Sequence, residues 1–79
     1  MELDKQGPNV TVLKLRDGSK ILFSYSTPVA VIDQHGDPFK SSRFYSRTTA
    51  KHVAEFLRGL TGVHVVEQGV IDAFAKEAR

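Results

Sequence analysis

The stretch KSSRFYSRTTAKH, Lys40 to His52, gathers four basic side chains, two aromatics and a histidine without a single acid. Lys40, Arg43, Arg47 and Lys51 carry the charge to meet phosphates. Phe44 or Tyr45 would supply a ring on which a base could stack, as single-strand binders do. The same composition also suits a strand handing over to a helix, with the cations merely solvating its rim. At such a helix start the free N–H groups, the hydroxyls of Ser46, Thr48 and Thr49, and the charges of Arg47 and Lys51 would suit an anion. Capping by Thr48 uses the same atoms and is the simpler account.

Other chemistry is thinly supplied. His52 stands one helical turn before Glu55, and two groups do not make a tetrahedral metal site. The segment DQHGD (33–37) has ligand-type residues, but its glycine and alternation fit a strand-to-strand turn better. We therefore expect neither metal nor cofactor. The absence of cysteine removes thiol nucleophiles, disulfides and cysteine zinc sites. Neither G-x-S-x-G nor H-E-x-x-H occurs, and no glycine-rich loop joins a strand to a helix. No catalytic residues are assigned, and the chain is not expected to be an enzyme.

The elements that must position these residues follow from pattern. Residues 1–9 are polar and contain QGP, which reads as a flexible lead-in to a single domain over 10–79. VTVLKLR and KILFSYS flank Asp17-Gly18, a hairpin signal for a two-residue type I′ turn. That register would put Val10 and Val12 on one face with Ile21, Phe23 and Tyr25, and Leu13 and Leu22 on the other. Pro28 should break the second strand. VAVID (29–33) and FKSSRFY (39–45) then read as third and fourth strands around a turn.

A helix follows, with Ala50, Val53, Ala54 and Leu57 at i, i+3, i+4 and i+7, Phe56 and Leu60 widening the stripe, and Gly59 near its stop. VHVV (63–66) is a short strand candidate, with His64 half-exposed on it. The last segment places Val70, Ile71, Phe74, Ala75 and Ala78 on one helical stripe, which either completes the core or docks elsewhere; completion is the simpler outcome for so small a domain. The fold class expected is α+β: an antiparallel meander of three to four strands, an α-helix, a short strand and a C-terminal α-helix, with the helices on one face.

The segments FSYSTPVAVI (23–32) and FYSRTTAKHVAEFL (44–57) together resemble a family of small, uncharacterised domains encoded mainly by bacteriophages and plasmids. The resemblance rests on Phe23, Ser24, Tyr25, Thr27, Pro28, Val29 and Ala30, then on Tyr45, Ser46, Thr48, Thr49, His52, Phe56 and Leu57. It covers roughly residues 12–58 and leaves the tail outside. It implies a genomic setting rather than a chemistry, that of a viral or mobile-element accessory protein. Tyr25, Thr27, Thr48 and His52 are then structural motif residues. A hydrogen bond from His52 to the strand or loop bearing Ser24, Tyr25 or Thr27 would explain why the two motifs travel together.

Composition sets the remaining limits. A net charge of +2 on 79 residues argues neither for a polyanion partner nor for DNA mimicry. No apolar run is long enough for a membrane span, and the N-terminus lacks a leader pattern, so the expectation is a protein of the bacterial host cytoplasm. Dimerisation would add burial to a small core and stays open. The expected function is stoichiometric binding to a host protein, such as a component of a CRISPR-type antiviral complex. The alternative is nucleic-acid binding through Lys40, Arg43, Tyr45, Arg47 and Lys51.

Overall fold

A computed structural model describes residues 2–7, 9–43 and 45–77, with side chains described over 9–43 and 45–76. Phe44 and Ala78, named above as stacking ring and stripe member, lie outside the described residues. Six strands, β1 (Glu2–Gly7), β2 (Val10–Lys14), β3 (Lys20–Ser24), β4 (Thr27–Ile32), β5 (Pro38–Ser41) and β6 (His64–Val66), form one sheet in sequence order. Helix α1 (Arg47–Phe56) lies between β5 and β6, and α2 (Gln68–Glu77) follows β6. The first five strands are an antiparallel meander, and β6 pairs parallel to β5. Parallel neighbours need a crossover connection, and α1 is that crossover. The chain is thus α+β in the order expected, with one strand more at its start.

That extra strand takes up residues 2–7 of the lead-in expected over residues 1–9. Glu2–Gly7 pairs with β2, from Glu2 opposite Lys14 to Gly7 opposite Val10. Its polar sequence hid it, because ladder hydrogen bonds are made by backbone groups and ask little of the side chains.

The first hairpin also departs from expectation. Leu13 lies opposite Ile21 and Lys14 opposite Lys20, one residue away from the register of a two-residue turn. The loop has three residues, Arg16 to Gly18. The Leu15 N–H donates to the Ser19 carbonyl, Gly18 N–H donates to the Leu15 carbonyl, and Gly18 has φ +94°. A turn followed by glycine at positive φ is the usual three-residue alternative. The one-residue change regroups the faces, so Val12 now packs with Leu22, and Leu13 with Ile21.

The two-residue turn with positive φ occurs instead at Tyr25 (+55°) and Ser26 (+83°). Tyr25 is 54% exposed, so it does not join the core face assigned to it. Thr27 pairs with Ser24 beside this turn, and β4 begins there, with Pro28 inside the strand opposite Phe23. A register shift between Leu22 and Phe23 leaves Val29 as the extra residue. Val29 and Ala30, although consecutive, therefore both pack with Val12 and Leu22.

The helices lie on opposite faces of the sheet, not on one. Leu13, Ile21 and Val31 pack with Ile71, Phe74 and Ala75 of α2. Val12, Leu22, Val29 and Ala30 pack with Val53 and Phe56 of α1. The central strands are apolar at consecutive positions, so both faces need a cover. Ile71 is fully buried, which settles the role of α2: it completes one of the two cores. Val70, read as part of that stripe, is 42% exposed.

Candidate binding groove

Helix α1 packs over β3 and β4 and leaves the same face of β5 and β6 open. Lys40 lies opposite Ala30 on one side and Val65 on the other, so these three share that face. The result is a groove of about 530 Å³ between α1 and the open strands. Val29, Val63 and Val65 line it from the sheet side, and Ala50, Val53, Ala54 and Leu57 from the helix. The predicted helical stripe is therefore shared. Leu57 is buried and Val53 half-buried, but Ala50 and Ala54 are exposed along the groove.

Of the five basic and aromatic residues assigned to binding, the structure brings three to this groove. Lys40, Arg43 and Tyr45 line it, together with Ser41, Ser42 and Ser46. Arg47 and Lys51 are exposed on α1 but do not line it. At about 100° per residue they fall on the flank next to Ala50 and Ala54, facing away from the sheet. No described lining residue is acidic.

Tyr45 is held at both ends. Its hydroxyl donates to Gln68 Oε1 at 2.7 Å, and Gln68 Nε2 donates to the Pro28 carbonyl and to Asp72 Oδ1, each at 2.8 Å. The Arg43 guanidinium lies over its ring, 5.9 Å from the centroid. Such a contact is a cation–π interaction. Gln68 thus ties the start of α2 to the groove rim and to β4. Sequence reading missed it, since a lone glutamine before an apolar stripe carries no local signal. Val63 and Val65 were visible only as a short strand.

The start of α1 is built from hydroxyls. Ser46, not Thr48, is the N-cap; its backbone is extended, and its Oγ accepts from the Thr49 N–H at 3.1 Å. Thr48 sits exposed in the first turn. Thr49 is buried, with its Oγ1 accepting from Ser46 Oγ at 3.2 Å and lying 3.0 Å from Ser24 Oγ. Ser24 Oγ in turn lies 3.2 Å from His52 Nδ1. The expected bond from His52 to the Ser24 strand is present, and Thr49 joins it.

The segment at 33–37 is the turn between β4 and β5. Asp33 Oδ1 accepts from the N–H groups of His35 and Asp37, and Gly36 takes φ +84°. Among the described residues no group of three His, Cys, Asp or Glu side chains is placed to hold a metal ion. His64 is exposed on β6, its ring stacked on Phe39 at 5.0 Å. No described helix is long and apolar enough to cross a membrane.

Fold and site together define a small α+β domain with a half-open apolar groove and a basic rim. The chain belongs to a family of unknown function, DUF8033, whose model matches residues 1–73. The match runs beyond Leu57 through β6 and into α2, so Val63, Val65 and Gln68 fall within the family's domain. No curated protein and no solved structure matches the chain significantly.

Proposed function

We propose that this chain is a phage or mobile-element accessory protein that acts in the host cytoplasm by stoichiometric binding to a host protein. A component of a CRISPR-type antiviral complex is the favoured target. The genomic setting comes from the motif resemblance, and the binding mode from the groove. The observation that carries it is an apolar recess between α1 and β6 whose exposed lining, Ala54 and Val65 included, has no cover among the described residues. Protein partners bury such surface around a few anchors. A non-catalytic role agrees with Ser24, whose Oγ lies 3.2 Å from His52 Nδ1, being only 2% exposed.

Nucleic-acid binding is the second reading, favoured by Arg43 and Tyr45 lying together beside Lys40. An apolar lining serves a phosphate backbone poorly, which ranks it second. Affinity purification from infected host lysate, with and without nuclease, separates the two. Under the first reading a host protein stays bound after nuclease and in moderate salt, and is lost with Ala54→Glu. Retention that disappears with nuclease or falls steeply with salt would reverse the ranking.

A further inference from the structure

We infer that the groove takes one amphipathic α-helix of the partner protein, with its apolar stripe against Val53, Leu57 and Val65 and an acidic flank toward Lys40 and Arg43. This deepens the binding reading and rests on it.

Three features point to a helix rather than to an extended segment or a flat surface. The opposite face of the sheet is covered by α2 over β4 and β5, while α1 packs mainly over β3 and β4. What stays open is the width of β5 and β6. Neighbouring strands lie about 4.8 Å apart, so two strands offer about 10 Å, close to the diameter of one helix. The groove wall runs from Ala50 to Leu57, eight residues separated by rises of about 1.5 Å, long enough to contact roughly two turns. Ala50 and Ala54 form that wall, and small side chains let a second helix approach α1 closely. The sheet therefore has room for a second helix beside α1, which no described element of the chain fills.

The sign of the charge follows from the rim. Lys40 and Arg43 line the groove, Arg47 and Lys51 lie on the adjoining flank of α1, and no described lining residue is acidic. Complementary charge sets orientation and suppresses wrong partners, so acids belong on the occupant's flank and bases are excluded from it. Gln68 anchors Tyr45 at the groove end and keeps that rim in place without an incoming ligand.

The test uses the full chain and three fluorescein-labelled 18-residue peptides sharing one leucine stripe at helical spacing. The first has glutamates on its flanks, the second lysines, and the third is the glutamate peptide with two central prolines. Anisotropy should show the acidic helix binding at least about tenfold more tightly than the lysine or the proline peptide. Ala54→Glu and Arg43→Glu should each weaken it by about tenfold, while Arg16→Glu on the far hairpin leaves it unchanged. Amide shifts induced by the peptide should centre on Val53, Leu57 and Val65. No binding by the acidic helix, equal binding of the lysine or proline peptide, or loss to competing single-stranded DNA would overturn the proposal. So would sedimentation showing a dimer that Ala54→Glu dissociates, since the occupant is then a second copy. A host protein retained in the purification above, with the peptides failing here, would leave the binding reading standing and remove only the helix.

Discussion

Ser24 Oγ lies 3.2 Å from His52 Nδ1, and this contact joins β3, the third strand of the meander, to the crossover helix. Ser24 is 2% exposed and Thr49 is 6% exposed, so their hydroxyls bond inside the protein. Removing one partner of a buried pair costs about 1–3 kcal/mol where the other is left unsatisfied. Ser24 keeps Thr49 when His52 is removed, which places His52→Ala near the low end, at about 1 kcal/mol. Thr49→Val, which removes a hydroxyl bonded to both Ser24 and Ser46, should cost more. Thermal denaturation checks both, and an unchanged melting temperature for His52→Ala would deny the contact any part in joining the two motifs.

The Tyr25–Ser26 turn places two side-chain-bearing residues at positive φ. An L-residue there costs roughly 1–2 kcal/mol against glycine, offset partly by glycine's larger unfolded-state entropy. Ser26→Gly should therefore stabilise the chain by about 0.5–1 kcal/mol, measured by urea denaturation. A destabilised variant would mean that the Ser26 side chain makes a contribution larger than its strain.

Ile71 is fully buried between α2 and the sheet, whereas Val70 beside it is 42% exposed. Truncating a buried isoleucine costs about 2–5 kcal/mol, because a cavity adds to the lost transfer energy. Ile71→Ala should bring the domain near its unfolding threshold, and Val70→Ala should change stability by less than about 0.5 kcal/mol. Equal effects would contradict the placement of α2 as a core element.

Asp17 titrates below its ordinary value of 3.8, held there first by the Ser19 hydroxyl and then by the Ser19 N–H. The Ser19 N–H donates to Asp17 Oδ1 at 2.8 Å. The folded value is the lower one, so the contribution is present above the unfolded pKa and is lost as pH falls through the folded pKa. Carbon-detected NMR titration should find the Asp17 midpoint below 3.8 in the native chain, and moved only part of the way back in Ser19→Ala, which removes the hydroxyl but keeps the Ser19 N–H bond.

Much of the fold was legible because backbone and side-chain periods are local. The 3.6-residue stripes located α1 and α2, and glycine, proline and aspartate marked the turns at 16–18 and 33–37. The candidate site was half legible. Lys40, Arg43 and Tyr45 could be named from type and proximity, but the same argument swept in Arg47 and Lys51, which point along another face of α1. Val63 and Val65 went unseen as groove residues, since β6 reaches the groove through a parallel pairing with the distant β5, and Gln68 went unseen because its bonds to Tyr45 and Pro28 span 23 and 40 residues.

By itself the sequence determined the α+β class and the order of elements from β2 onward, and it directed His52 to the strand or loop bearing Ser24, Tyr25 or Thr27, among which the structure selects Ser24. These rest on local period, turn chemistry and one motif pair. Only the tertiary structure decided the hairpin register, because Asp17-Gly18 suits a two-residue and a three-residue loop alike. Packing chooses between them: the observed register brings Leu13 level with Ile21 and Val31 under Ile71. Tertiary packing also decided which helix covers which face: α2 packs on the Ile21 side and α1 on the Leu22 side, with β5 and β6 left open where the groove lies.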